Sequence, residues 1–162
     1  MNVLVLFDSE FGNTERVARA VAGVLEKSFP VRIAKADSKT TAGAGGADLL
    51  IVGGPTHRRR MSRRLAASFE SLPRKSLRGV RTAAFDTRYR MPAWLSGSAA
   101  GGIARRLRKL GGQALRPPVS FFVARDVPPE GGKRRHDLES LEAGELERAE
   151  TWAAEIGKAI AG

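Results

Sequence analysis

Val3-Leu4-Val5-Leu6-Phe7-Asp8-Ser9-Glu10-Phe11-Gly12-Asn13-Thr14 is the stretch whose reading decides the fold. Val3–Phe7 is an unbroken apolar run, too short for a helix, that ends at Asp8. It reads as a strand buried on both faces. Ser9–Thr14 consists largely of turn formers and hydroxyl carriers. From Thr14 to Lys27, Val17, Val21, Val24 and Leu25 recur at helical spacing with charge on the other side. Phe29-Pro30 stops this helix, because proline has no amide to give it. A strand, a short polar loop and a helix in direct succession open a parallel α/β sheet.

The rest of the chain repeats this rhythm. Val31–Lys35 alternates as a half-covered edge strand, and Ser38–Gly46 is a loop or weak helix. Ala47–Val52, apolar apart from Asp48, is a second inner strand, closed by Gly53-Gly54-Pro55. Met61, Leu65, Phe69 and Leu72 mark a helix ended by Pro73. Val80–Phe85 is a further inner strand with Asp86 at its end. Ile103, Leu107 and Leu110 mark a helix stopped by Gly111-Gly112. Ala114–Val123 is the last strand region, interrupted by Pro117-Pro118. Arg125–Asp137 reads as an exposed loop. Leu141–Ile160 closes the chain as a helix, with Ala149, Trp152, Ala153, Ile156 and Ile160 on one face. The expected class is α/β, a doubly wound five-stranded parallel sheet with helices on both faces and right-handed crossovers. Residues 1–162 show no repeat and no second core, so one domain is expected.

Composition narrows the chemistry. With 42% hydrophobic residues and 28% charged residues the chain is globular rather than disordered. No apolar run reaches the length of a membrane span and the N-terminus lacks the pattern of a signal peptide, which makes a cytoplasmic protein the expectation. Zero cysteines exclude disulfides, thiolate catalysis and Cys-based metal sites. Two histidines, His57 and His136, are too few for a His-rich metal centre.

The loop Ser9-Glu10-Phe11-Gly12-Asn13-Thr14 carries the chemical signal. Ser9 and Thr14 offer hydroxyl donors, Gly12 allows close backbone approach, and Asn13 tolerates turn geometry. The helix that follows presents free N–H groups and the positive end of its dipole, so the loop suits a phosphate. The alternative is an ordinary strand-to-helix turn with Thr14 as N-cap. The loop is neither a Walker sequence nor a GxGxxG fingerprint.

Leu6–Thr14 resembles the FMN-phosphate loop of flavodoxins, whose pattern is Ser/Thr-x-x-Gly-x-Thr. Gly53-Gly54-Pro55-Thr56 resembles the first flavin-flanking loop of that family, and Asp86-Thr87-Arg88-Tyr89 the second. The resemblance spans essentially the whole chain and is to the short-chain form, since the last strand lacks a clear insertion. It implies a sheet order 2-1-3-4-5 with FMN at the switch point. It further implies that Pro55, Thr56, His57, Asp86, Thr87, Arg88 and Tyr89 flank the flavin, with Ser9–Thr14 on its phosphate. Asp86 either caps the next turn or touches the ring edge. His57 is a proton donor or a loop residue with a structural hydrogen bond. Tyr89 stacks on the flavin or covers an apolar edge.

The chain departs from that family in charge and in aromatic content. Its net charge is +11. Residues 57–109 carry fifteen Lys/Arg against two acids, whereas residues 137–155 carry seven acids against Arg148. The first flanking loop has no aromatic residue, so one face of a flavin either lacks its ring partner or is covered by His57 or Met61. Arg58, Arg59, Arg60, Arg63 and Arg64 are a solvated helix entrance, an anion site, or a docking face for an acidic redox partner. Arginines in both flanking loops would also raise the potential of a bound flavin. No nucleic-acid recognition motif is present, which disfavours a nucleic-acid partner. The leading function is an FMN electron carrier, monomeric or homodimeric. The alternatives are an FMN-dependent NAD(P)H:quinone-type reductase and a flavodoxin-like interaction module that has lost FMN.

Overall fold

The computed structural model describes residues 1–57, 59–70, 72–124 and 140–162. The loop expected at Arg125–Asp137, together with His136 and Arg58, lies outside the described residues. In chain order the elements are β1 Val3–Phe7, α1 Asn13–Leu25, β2 Val31–Lys35, α2 Ser38–Ala42, β3 Leu49–Pro55 and α3 Arg63–Glu70. There follow β4 Arg81–Tyr89, α4 Ala93–Ser96, α5 Ala99–Lys109, β5 Gln113–Ala114, β6 Val119–Val123 and α6 Glu145–Ala161.

The sheet runs β2-β1-β3-β4-β5, with β6 also pairing with β4, and every pairing is parallel. β1 is buried along its length, whereas β2 is only half covered, as their apolar and alternating sequences require. Alternate residues face opposite layers. Val3, Val5, Phe7, Leu49 and Ile51 join the core built with α1 and α6. Leu4, Leu6, Leu50 and Val52 join the core built with α3 and α5. Phe85, Phe121 and Trp152 meet edge to face in the first core, with centroids 5.9, 6.1 and 6.1 Å apart.

The final strand region is split by its prolines. Thr82 pairs with Ala114 and Phe85 with Val119, so four residues of the outer strand span two of β4. Pro117 and Pro118 have no N–H to give the ladder, and the chain bulges there before pairing resumes.

A buried carboxylate fastens α6 to this edge. Glu145 is 5% exposed. It accepts hydrogen bonds from the Phe122 N–H at 2.7 Å and from Arg148 at 2.6 and 3.1 Å. Burial alone would push its carboxyl up, but the Arg148 and Phe122 donors outweigh that and hold it below the usual range. Glu145 therefore contributes stability that is full above the ordinary value near 4.5 and is lost as pH falls through its lowered folded value. Glu145→Gln should flatten the acid limb of a urea-midpoint profile. An unchanged slope below pH ~4.5 would show that the contact carries no linkage.

Candidate cofactor cleft at the switch point

β1 feeds α1 on one face of the sheet and β3 feeds α3 on the other. The crevice where ligands bind in such sheets opens between those two strands, at their carboxyl ends. A cleft of about 260 Å³ lies there. It is lined by Ser9, Glu10, Phe11, Asn13, Thr14, Pro55, Thr56, His57, Thr87, Arg88, Tyr89 and Val123. Three segments far apart in sequence thus meet at one place. Gly12 and Asp86, expected among the site residues, do not line the cleft.

Gly12 shapes the first segment from behind. Its φ of 89° is left-handed, and a Cβ added there would meet nothing within 4 Å, so conformation rather than space favours glycine. Its N–H donates to Ser9 Oγ at 3.0 Å, and its carbonyl accepts from the Arg16 N–H at 3.0 Å. Gly12 is therefore the N-cap of α1, and Thr14 is not. The Thr14 hydroxyl instead pairs with the Thr87 hydroxyl at 2.7 Å. Both threonines are buried, at 2% and 5% exposure. One of their two hydroxyl protons joins the pair, and the other is left for an acceptor in the cleft. The first N–H groups of α1 have no partner within the helix and face the same end.

β3 extends through Gly53 and Gly54 to Pro55, beyond the expected closure. Thr56 then donates its N–H to the Thr87 carbonyl at 2.9 Å, joining the two flanking segments. Asp86 is fully buried. Its Oδ2 accepts from Thr56 Oγ1, Ser98 Oγ and the Ala100 N–H, each at 2.9 Å. Of the two readings of Asp86, capping is the one its contacts describe, since it holds the start of α5.

His57 and Arg60 exchange backbone hydrogen bonds of 2.8 and 3.0 Å, and Arg59 holds a left-handed φ of 73°. The Arg59 guanidinium donates to the Leu95 and Trp94 carbonyls at 3.0 and 2.7 Å. Gly97 lies so close that a Cβ there would sit 2.4 Å from the Arg59 carbonyl oxygen. Arg59 is a staple between residues 57–60 and 94–97, not a free docking cation. Losing its charged hydrogen bonds costs about 1.5 kcal/mol or more locally. Arg59→Ala should therefore raise amide exchange around Gly97 at least about tenfold while global stability changes little. Unchanged exchange would show that the loops hold together without it.

Arg64, Arg88 and Arg90 are engaged as well. Arg64 pairs with the buried Asp8 at 3.4 Å, and Ser62 donates to the same carboxylate. Arg90 bonds Glu142 at 2.7 and 2.9 Å. Arg88 donates to Ser120 Oγ at 2.9 Å and the Met91 carbonyl at 2.8 Å, and its guanidinium lies 5.1 Å from the centre of the Phe122 ring. Met61 packs against the α3–α5 core rather than into the cleft. Among the described residues Arg88 is the arginine that lines the cleft, and the lining also includes the acid Glu10. Of the arginines on which the expectation of a strongly cationic ring environment rested, Arg59 is tied to the Leu95 and Trp94 carbonyls and Arg90 to Glu142, Arg88 lines the cleft, and Arg60 has no ion pair among the described residues. Phe11 and Tyr89 are the aromatics at the cleft. Trp94, five residues beyond Tyr89, is 78% exposed.

Sequence reading missed Val123. The available signal was its place at the end of the last inner-edge strand, which topology brings level with the ends of β3 and β4.

Comparison with solved structures agrees with this architecture. The chain superposes on flavodoxin 2 from Bacillus cereus with a TM-score of 0.75 at 17% identity, covering 98% of this chain and 99% of that one. A flavodoxin from the domain Archaea gives 0.72 at 18% identity, with full coverage of both chains. The chain also covers 36% of a rubredoxin oxygen:oxidoreductase from Desulfovibrio gigas, with a TM-score of 0.66 at 21% identity. No known family profile and no curated protein sequence matches the chain. The chain has the flavodoxin fold.

Proposed function

We propose that the cleft binds FMN non-covalently and that the protein carries electrons. The observation that carries this reading is the buried Thr14–Thr87 hydroxyl pair beside the Ser9–Gly12 turn at the N-terminus of α1. A dianionic phosphate needs donors and positive potential, and these residues supply hydroxyl protons, backbone N–H groups and a helix dipole together. The group fits the residues present, with the phosphate on Ser9–Thr14 and the ring between 55–57 and 87–89. Phe11 and Tyr89 are the aromatic partners within reach of that cleft. When bound, FMN supplies the electron-transfer chemistry; the chain supplies binding and orientation.

The resemblance of the three loops to the flavodoxin pattern supports the same reading. Of the five arginines considered for partner docking, Arg60 and Arg63 have exposed side chains without an ion pair among the described residues. An acidic redox partner would meet these two, and its electron-exchange rate should fall with salt.

The visible spectrum of the purified protein tests the proposal. Flavin absorption, released on denaturation or restored by added FMN, is the expected result. A colourless protein that takes up no FMN would sink the reading and leave an interaction module. Steady-state NAD(P)H oxidation by the isolated chain would replace the carrier with a reductase.

A further inference from the structure

Among the described residues, six unpaired positive charges gather at the end of the sheet remote from the cleft. Arg74, Lys75 and Arg78 sit on the connection into β4; Arg105, Arg108 and Lys109 lie on one face of the second half of α5. The two segments pack against each other. The Leu77 N–H donates to the Leu110 carbonyl at 2.9 Å. A Cβ on Gly111 would lie 3.3 Å from both Lys75 Cα and the Arg78 N. All six cations are exposed, and none has a side-chain hydrogen bond or ion pair among the described residues. Acids at this end of the fold include Glu70, at the end of α3, and Asp48, whose carboxylate accepts from the Asn2 N–H at 2.6 Å.

Arg108 and Lys109 can be explained as complements to the negative end of α5. The first segment has no such explanation. It ends no helix, and Lys75 holds a left-handed φ of 65°. β4 separates this patch from Tyr89 by nine residues, roughly 25–30 Å at about 3.3 Å each. A partner seated here leaves the cleft uncovered.

We propose that this end of the protein docks on an anionic lipid bilayer surface. A specific protein interface is built on an apolar or aromatic centre. The large hydrophobic residues exposed among the described residues are Met1, Phe11, Trp94 and Leu95, none of them in these two segments. The same lack of an exposed ring removes the stacking platform that single-stranded nucleic acid uses. What remains is a compact group of six long cationic side chains, within the range of four to eight that suffices for electrostatic attachment to anionic lipid. The surface holds the domain with its cleft toward solution.

Vesicle co-sedimentation tests this, using phosphatidylcholine alone and phosphatidylcholine mixed with phosphatidylglycerol. Binding is expected to the mixed vesicles only, and it should weaken steeply as salt rises. Each cation near such a surface is worth about fivefold in affinity. The triple variant R74Q/K75Q/R78Q should lose roughly a hundredfold, and R105Q/R108Q/K109Q a similar amount. R60Q/R63Q, at the cleft end, should bind as the parent does. Circular dichroism should show all three folded, since no removed side chain is paired. Equal binding by the parent and both patch variants, or no binding by the parent at physiological ionic strength, would overturn the proposal. Tighter retention of duplex DNA than of vesicles, lost in the same variants, would overturn it in favour of nucleic acid. The result does not depend on flavin uptake, so its failure and that of the FMN proposal are distinguishable.

Discussion

Thr14→Val should lower the affinity for FMN about 10–150-fold while leaving riboflavin binding far less affected. The side chain is isosteric and buried, so the substitution removes a hydroxyl and little volume. Its hydroxyl is paired with that of Thr87 at 2.7 Å, and the pair retains one proton for an acceptor in the cleft. A charge-assisted hydrogen bond to a dianion is worth about 1.5–3 kcal/mol, which gives the stated range. The variant also leaves the buried Thr87 hydroxyl without its partner, at a cost of about 1 kcal/mol in stability. Riboflavin separates the two effects, because it lacks the phosphate but needs the same fold. Thr14→Ser should recover most of the FMN affinity. Equal losses for FMN and riboflavin, measured by fluorescence titration, would show that Thr14 acts through folding alone.

Gly53→Ala should destabilise the protein by about 3 kcal/mol or more, lowering the melting temperature by roughly 6–12 °C. A Cβ at residue 53 would lie 2.0 Å from Phe85 Cζ and 2.4 Å from both Cε atoms. The Phe85 ring occupies the space where that side chain would stand. It cannot swing away, because Phe121 and Trp152 abut it edge to face and all three are in the core. Phe85→Leu in the Gly53→Ala background should recover part of the loss, with a coupling above about 1 kcal/mol across the double-mutant cycle. A cost below about 1 kcal/mol, with an unchanged near-ultraviolet spectrum, would mean that the aromatic cluster is looser than it stands.

Gly53 also shows how a local reading fails. Gly53-Gly54-Pro55 has the composition of a turn, and the sequence expectation closes the strand at Val52. β3 runs on to Pro55 because residues 53–55 pair with residues 85–87 of β4, and glycine is required there by neighbours distant in sequence: Phe85 at residue 53 and Leu65 at residue 54, whose Cδ2 would be 2.8 Å from an added Cβ. Asp86 follows the same logic. The sequence expectation puts it at the end of a strand, whereas β4 runs on to Tyr89, and its three donors come from residues 56, 98 and 100. The arginines diverged most. Composition counts them alike, yet Arg59 is consumed by two carbonyls, Arg64 and Arg90 by carboxylates, and Arg74, Lys75 and Arg78 by nothing among the described residues.

The sequence by itself determined the alternation of strands and helices, because apolar period and proline position are local properties that each segment carries into any fold. It also determined the loop between β1 and α1, since a left-handed glycine and flanking hydroxyls act within six residues. The tertiary structure alone decided which side chains share the cleft, that Thr14 meets Thr87 seventy-three residues away, and where positive charge stays unpaired. Those outcomes depend on partners that only the parallel sheet brings together. A hydrogen bond or ion pair is fixed by distance in space, which sequence separation does not encode.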